Sequence, residues 1–513
     1  MANLSVNVRM YHVGELGDCF LLHFKDGENE SRVLIDCGSF RNSDKSKARL
    51  NEIVKHILSE TDGKPLDVVV GTHQHNDHVS GFVHCEGQFT GKVNQVWLSW
   101  LDDPKDSFAR QVKGSQRALV KQLFDINKGM AGLNSAAAST VKEILGFYGI
   151  DEHAGPGINS MALGAAGDDP LVPAQGIKVL KGLGAKAPLY LSPGKVLKLP
   201  KMEGAVKVYV LGPPRNKSLL FDKDPNKQET YDPHLAMAGA FAGKFLSAVN
   251  MRDTAQALTE EEKKAKWQRE RAEEYFPFNR SFKHNDVKIK ELKDRAAAAP
   301  TKEKAAEILA PIKDLLAIQD LYNKPSNAYR KIDDEWTEQA GRLALYLNSY
   351  TNNSSLVLAF ELVESKKVLL FAADAQTGNW SSWDKIKWEA VKKGFNTREL
   401  LENTVLYKVG HHASHNATLV SAFEAMTHED LVAMIPVDKK DPNIDREKGW
   451  KMPAKNLYTK LKARTNFRVL RMDDGFAEDC DPDKSKKSGF KGKKLHKPVV
   501  DKTNGFVEYK ING

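Results

Sequence analysis

This sequence shows no disulfide framework, no membrane-length apolar run and no signal-peptide pattern. Four cysteines in 513 residues, Cys19, Cys37, Cys85 and Cys480, show no Cys-x-x-Cys spacing and no framework, which fits a reducing compartment. Cys19 and Cys37 fall within strand-like segments and read as small core residues. No apolar run approaches the roughly 20 residues of a membrane span, and Met1-Ala-Asn-Leu-Ser-Val has neither a basic n-region nor an apolar h-region. The expected location is therefore cytoplasmic, with no membrane partner. Charge of one sign is also scarce: 76 basic against 67 acidic residues give +9, with a pI near 9.0. For this length that is a modest tilt towards an anionic partner.

What is present is enough for a large core, with 41% hydrophobic residues and a mean hydropathy of -0.48. The length allows two or three ordinary domains, or one enlarged by insertions.

The chain is organised around Asp67-Val-Val-Val-Gly-Thr72-His73-Gln-His75-Asn-Asp77-His78. A run of β-branched residues ends in Gly-Thr and delivers three histidines and an aspartate within six positions, which predicts a buried strand opening into a ligand-bearing loop. His73 and His75 are two apart, so at the extended end of a strand they leave on one face and can grip one ion. Asp77 and His78 follow as the chain turns and suit a second ion about 3.5–4 Å away. Imidazole with carboxylate suits zinc, manganese or iron better than calcium or magnesium.

Thr-His-x-His-x-Asp-His after an apolar strand resembles the signature of metallo-β-lactamase-fold hydrolases. That resemblance implies an α/β (α+β) four-layer αββα fold of two similar halves, with one or two metals at the seam. It covers roughly residues 5–100, 176–215 and 340–475. In that family a strand ending in Asp-x-Gly lies beside the metal loop, so Asp36 in Asp36-Cys37-Gly38 is expected to orient the ligands from behind. The turn Val13-Gly14-Glu15-Leu16-Gly17-Asp18 is similar to that of the competence-protein (ComEC-like) branch, and reads equally well as a plain turn.

The second half continues the pattern. Asp374, at the end of the strand Lys367 to Ala373, matches the family's metal-bridging aspartate, with Ala373 where glycine is usual. Lys408-Val-Gly-His411-His412-Ala413-Ser414-His415 resembles the Lys-Val-Pro-His-His-Gly-Ser motif of the competence-protein branch, with Gly410 and Ala413 as departures. His411 best matches the second metal's histidine, because it sits where the strand ends. His412 and His415 are left as outer-shell orienters or proton donors to a leaving group, or as ordinary surface histidines. Lys408 either meets a phosphate or faces solvent. Between His284 and Asp374 the chain has no histidine, whereas many members place one there to complete the first metal. The competence-protein branch resembles this chain there, with an Asn-Asn-Ser corner in that histidine's place, here within Tyr350 to Ser355; either Asn353 or Ser355 acts through water, or a histidine such as His234 swings in from the insertion, or the first site is weak.

The expected organisation is a first half over 1–215 with a helical excursion at about 102–184. Ile177 to Leu180, Tyr190 to Leu191, Val196 to Leu199 and Val206 to Leu211 read as strands closing that half. A mainly helical insertion follows over 216–343, including Thr259 to Tyr275 and Lys302 to Leu321, and could present a surface to a protein partner. The second half covers 344–513. Within it lies a basic loop, 484–497, with seven lysines in fourteen residues. Lys486, Lys487, Lys491, Lys493 and Lys494 would draw a phosphate backbone through counterion release, and Phe490 would stack on a base.

The implied mechanism is hydrolysis assisted by ions on His73, His75, Asp77, His78, Asp374 and His411, with Asp77 also orienting the attacking oxygen. A phosphodiesterase or nuclease is the expected activity. A hydrolase of a lactone, thioester or β-lactam, or a non-catalytic metal-stabilised module, stays open.

Overall fold

The computed structural model describes residues 4–130, 136–151, 169–220, 286–330, 338–388, 391, 394–444, 450–473, 476–491 and 495–513. The stretch Thr259 to Tyr275, His234, His284, Lys493 and Lys494 lie outside them. The chain divides into two compact units, one of residues 1–134, 138–240 and 342–513, the other of 135–137 and 241–341.

The larger unit carries two sheets. The first is ordered β14 (Val499–Asp501), β15 (Phe506–Asn512), β1 (Ser5–Tyr11), β2 (Cys19–Asp26), β3 (Asn29–Cys37), β4 (Leu66–Gly71), β5 (Val93–Ser99) and β6 (Leu189–Leu191). The second is ordered β13 (Val469–Arg471), β12 (Val432–Ile435), β11 (Thr404–Lys408), β10 (Val368–Phe371), β9 (Val357–Leu362), β8 (Val206–Gly212) and β7 (Val196–Lys198). Each sheet is antiparallel on one side and parallel on the other. In the first, β3, β4, β5 and β6 run parallel; in the second, β10, β11, β12 and β13 do.

The parallel strands are buried on both faces and so read as unbroken apolar runs, as in Val68-Val69-Val70. Between the sheets, Phe20 meets Phe371 and Phe24 meets Phe360 with ring centroids 5.7 and 5.8 Å apart. The outer face of the first sheet is covered by the helix Asp44–Ser59, which buries Leu50, Ile53, Val54 and Ile57 at helical spacing. On the far side, Trp380, Trp383 and the helix Lys455–Arg464 cover the second sheet through Leu457 and Leu461. This is the four-layer αββα metallo-β-lactamase fold. Its paired thiol positions, Cys19 opposite Cys37, are buried and free.

Three local expectations are corrected. Ile177 to Leu180 belongs to a helix, Val172–Leu183, which lays Ile177, Leu180 and Leu183 on the first sheet's core; a four-residue apolar run fits either period. Tyr350 to Asn353 is the last turn of a helix, Glu338–Asn353, rather than an open corner. Phe490 is buried and set edge-on to Tyr509 at 5.9 Å, so it is a core residue and not a base-stacking one.

In the smaller unit the helices Asp286–Ala297, Lys302–Leu309 and Lys313–Asn323 bury little, with Ile289, Ala296 and Ile312 inside and Ile318 and Leu321 exposed. Among the described residues no helix is long and apolar enough to cross a membrane.

Candidate metal centre

Strand β4 delivers Thr72 and His73 at its end, and His75 becomes the N-cap of the helix Asn76–His84. Asp77 and His78 therefore sit in the first helical turn. Asn76 anchors the turn by donating to the carbonyls of Ser39 and Phe40 at 3.1 and 2.8 Å. Gly38 makes the approach possible, since a Cβ there would lie 2.4 Å from the backbone of Asp77 and His78.

The second half contributes through two left-handed turns. Ala373, at φ 48°, turns the end of β10 so that Asp374 enters the seam. After β11, His411, His412 and Ala413 are all left-handed, at φ 41°, 50° and 61°. This turn swings His412 inward, so His412, and not His411, meets the cluster. Its Nε2 is 3.1 Å from Asp77 Oδ2 and 3.6 Å from Asp374 Oδ2, and its Nδ1 is 2.9 Å from the Pro436 carbonyl. Donation to that carbonyl fixes the tautomer and leaves Nε2 as the ligating atom. His411 instead has Nε2 at 3.2 Å from the Asn352 amide, and Nδ1 near Gln376 and Ser414 at 3.1 and 2.6 Å.

Asp77, His78, Asp374 and His412 are fully buried and offer ligand atoms all within 4.8 Å of one another. His78 Nε2 lies 3.5 Å from Asp77 and 3.3 Å from Asp374, while its Nδ1 is held by Asp36 at 2.8 Å. Asp36 in turn accepts from the Thr72 amide and hydroxyl at 2.8 and 2.6 Å. Asp77 Oδ1, His78 Nε2 and both Asp374 oxygens have no hydrogen-bond partner among the described residues. Buried carboxylate and imidazole atoms left this way cost several kcal/mol unless a cation joins them. The donor set therefore fits a divalent transition metal.

His73 and His75 stand together beside this cluster, Nε2 to Nδ1 at 3.1 Å, and belong to neither group of three or more potential ligands among the described residues. Burial pushes His73 well below the usual imidazole range and His75 down to about 3, so both are neutral, the form that binds a metal. Burial acts the same way on His78 and His412, but the charges of Asp374 and Asp77 outweigh it and hold both above the usual value.

The second buried group is Asp18, Asp36 and His78. Here Lys408 already supplies the cation: its Nζ is 2.5 Å from Asp18 Oδ2, 2.9 Å from the Ala373 carbonyl and 3.6 Å from Asp374 Oδ1. Lys408 is 1% exposed, so it does not face solvent. Asp18, read from the sequence as a turn residue, also donates its backbone N–H to the Asp77 carbonyl at 2.9 Å. The Gly17-Asp18 pair was the available signal for it.

Asn353 and Ser355 lie behind Asp374. Ser355 Oγ accepts from the Asp374 amide at 3.3 Å, and Asn353 accepts twice from Asn379, at its side-chain and backbone oxygens, each at 3.0 Å. Asn352 is the amide of this stretch that reaches a histidine, and the sequence reading passed over it. Lys486, Lys487 and Lys491 are exposed.

Residues 13–86 match the family model described as the metallo-beta-lactamase superfamily. No curated protein matches the chain. The matched stretch runs from the Val13 turn through Asp36 to the histidine loop, and ends well before Asp374 and His412.

Proposed function

We propose that this protein is a cytoplasmic, metal-dependent phosphodiesterase acting on nucleic acid or a nucleotide, a reading supported by its resemblance to the competence-protein branch of the fold. The observation that carries the reading is the buried set Asp77, His78, Asp374 and His412, in which Asp77 Oδ1, His78 Nε2 and both Asp374 oxygens have no hydrogen-bond partner among the described residues. A divalent cation held there, zinc before manganese or iron, supplies Lewis acidity, lowering the pKa of water from 15.7 towards about 7 and stabilising charge on a reacting oxygen.

The chain's own residues do the positioning. Asp36 and the Pro436 carbonyl aim the Nε2 atoms of His78 and His412. Lys408 offsets one of the four buried carboxylates Asp18, Asp36, Asp77 and Asp374, leaving an excess of negative charge for the ion. The preference for phosphodiesters over acyl substrates is supported by the competence-like motifs at 350–355 and 404–415 and by the exposed lysines of 484–491.

The acyl reading has one observation of its own. Phe147 and Tyr148 stand 5.3 and 5.1 Å from the His75 ring, an aromatic wall suited to a small apolar substrate. The deciding test is cleavage of labelled single- and double-stranded DNA and RNA with added zinc or manganese, comparing wild type with Asp77→Ala and His412→Ala. Turnover lost in both variants supports the proposal. Metal-loaded protein that leaves every polymer and bis(p-nitrophenyl) phosphate intact, yet opens a lactone or thioester, overturns it.

A further inference from the structure

A cavity of about 800 Å3 lies against the metal loop. Its walls are the helices Ser107–Gly129 and Val172–Leu183 and the segment Leu101–Pro104, all from the excursion that follows β5. Gln74, Tyr148 and Thr351 also line it. Gln74 sits between His73 and His75, and Tyr148 stands against His75, so the cavity reaches the loop that carries the metal ligands.

Its lining is charged. Arg110, Lys113, Arg117, Lys178 and Lys181 face Asp102, Asp103 and Asp169, five cations to three carboxylates. Lys113 ties the cavity to the metal loop directly, with its Nζ 2.9 Å from Gln74 Oε1 and 3.0 Å from Asp102 Oδ1. Arg117 lies 3.6 Å from Asp169. Lys181 is half-buried, and no hydrogen bond or ion pair is formed by its ammonium among the described residues. Burial, set against the charge of Asp102, holds that ammonium below the usual lysine value. An unpaired, half-desolvated cation gains most from an incoming anion, and the cavity is of ligand-binding size.

We infer that this cavity is a phosphate subsite that seats the nucleotide next to the scissile bond, so that the substrate is a strand of several nucleotides and not a single small diester. The inference rests on the phosphodiesterase reading for its choice of ligand. Lys181 and Lys113 contact the flanking phosphate, and Gln74, through Lys113, couples its occupancy to the position of the histidine loop.

The test measures binding apart from turnover. Full-length protein in EDTA is titrated into a 5′-labelled twelve-nucleotide oligothymidylate, followed by fluorescence anisotropy at several KCl concentrations. Lys113→Gln/Lys181→Gln is expected to raise Kd at least tenfold and to reduce the salt slope by about 1.4, at about 0.7 per lost contact to a single strand. Lys181→Gln alone breaks no ion pair and is expected to raise Kd at least threefold, which guards against a folding defect in the double variant. Lys302→Gln/Lys304→Gln removes the same charge from exposed positions and is expected to change Kd less than twofold. Equal weakening by both doubles means diffuse attraction and overturns the subsite, as does inorganic phosphate competing as tightly as the oligonucleotide. Cleavage of bis(p-nitrophenyl) phosphate by the zinc-loaded enzyme reads the metal centre separately. Its absence alongside selective oligonucleotide binding strikes the proposed activity and leaves the subsite standing.

Discussion

His412 Nε2 lies 3.1 Å from Asp77 Oδ2 across 335 positions of chain. His411, its neighbour, is turned towards Asn352, Gln376 and Ser414. The two histidines should therefore behave differently on substitution. His412→Ala is expected to lose bound metal, read by elemental analysis of the purified protein, and turnover with it. His411→Gln, which removes an outer contact, should lower metal affinity or activity by about 10–100-fold. The reverse ranking would place His411 among the ligands. Chelation should abolish turnover in the wild type, and added zinc or manganese should restore it.

Lys408 and Asp18 form a buried ion pair beneath the centre. Removing one partner leaves the other charged and desolvated, at about 3–5 kcal/mol. Lys408→Met should show that loss in urea unfolding, and Lys408→Met/Asp18→Asn should recover most of it. A stable Lys408→Met protein with a raised KM and little else changed would mean that the lysine touches substrate after all.

Ala373 and Ala413 occupy left-handed positions, at φ 48° and 61°. Glycine would relieve about 1–2 kcal/mol of strain. It would also remove a buried methyl worth about 0.8 kcal/mol and add about 0.4–1 kcal/mol of freedom to the unfolded chain. These offset, so Ala373→Gly and Ala413→Gly should each shift stability by less than about 1 kcal/mol in either direction. Ala413→Val, β-branched at φ 61° with no exposed surface, should cost about 2 kcal/mol or more. A large gain from either glycine would mean that the strain is greater than this.

Glu30 accepts from Lys64 and His23, each at 3.0 Å, and pairs with Arg32 at 3.2 Å. The Lys64 bond, against the opposing effect of burial and with help from His23 and Arg32, brings its carboxyl down to about 2 from 4.5. A depressed folded pKa gives stability that is present above 4.5 and lost as the pH falls through 2. Glu30→Gln should lower stability by at most about 1 kcal/mol at pH 7, and the gap should close between pH 4.5 and 2 in thermal melts. A gap that widens in acid contradicts the assignment.

The sequence was most legible where chemistry and periodicity coincide. Val68 to His78 announced a buried strand, a loop and ligands because a doubly covered parallel strand must be continuously apolar and because three histidines in six positions have few structural uses. His412 was less legible. Choosing between adjacent histidines needs the φ angles at 411–413, and nothing in Gly410-His411-His412-Ala413 specifies three successive left-handed residues, since Ala413 stands where a glycine would have hinted at one. The burial of Lys408 was illegible for a related reason. A five-residue strand shows which residues alternate, but the depth of burial comes from Asp18, 390 positions earlier. Phe490 was drawn into a lysine-rich segment by its neighbours, whereas its packing partner Tyr509 lies on the last strand. Pointwise Lys486→Ala, Lys487→Ala and Lys491→Ala therefore probe that segment more cleanly than deleting 484–497, which would strip Phe490 from the core.

The pairing of Ser5 with Asn512 sets the order in which this protein can form. Strand β1 keeps one edge open until β15 has been made, and the centre lacks half its donors until the chain has passed residue 412. During synthesis the histidine loop therefore waits, without Asp374 and His412, until the chain has grown past residue 412. Contacts this distant in sequence form late and slowly, so metal capture is a closing event of folding and not its nucleus.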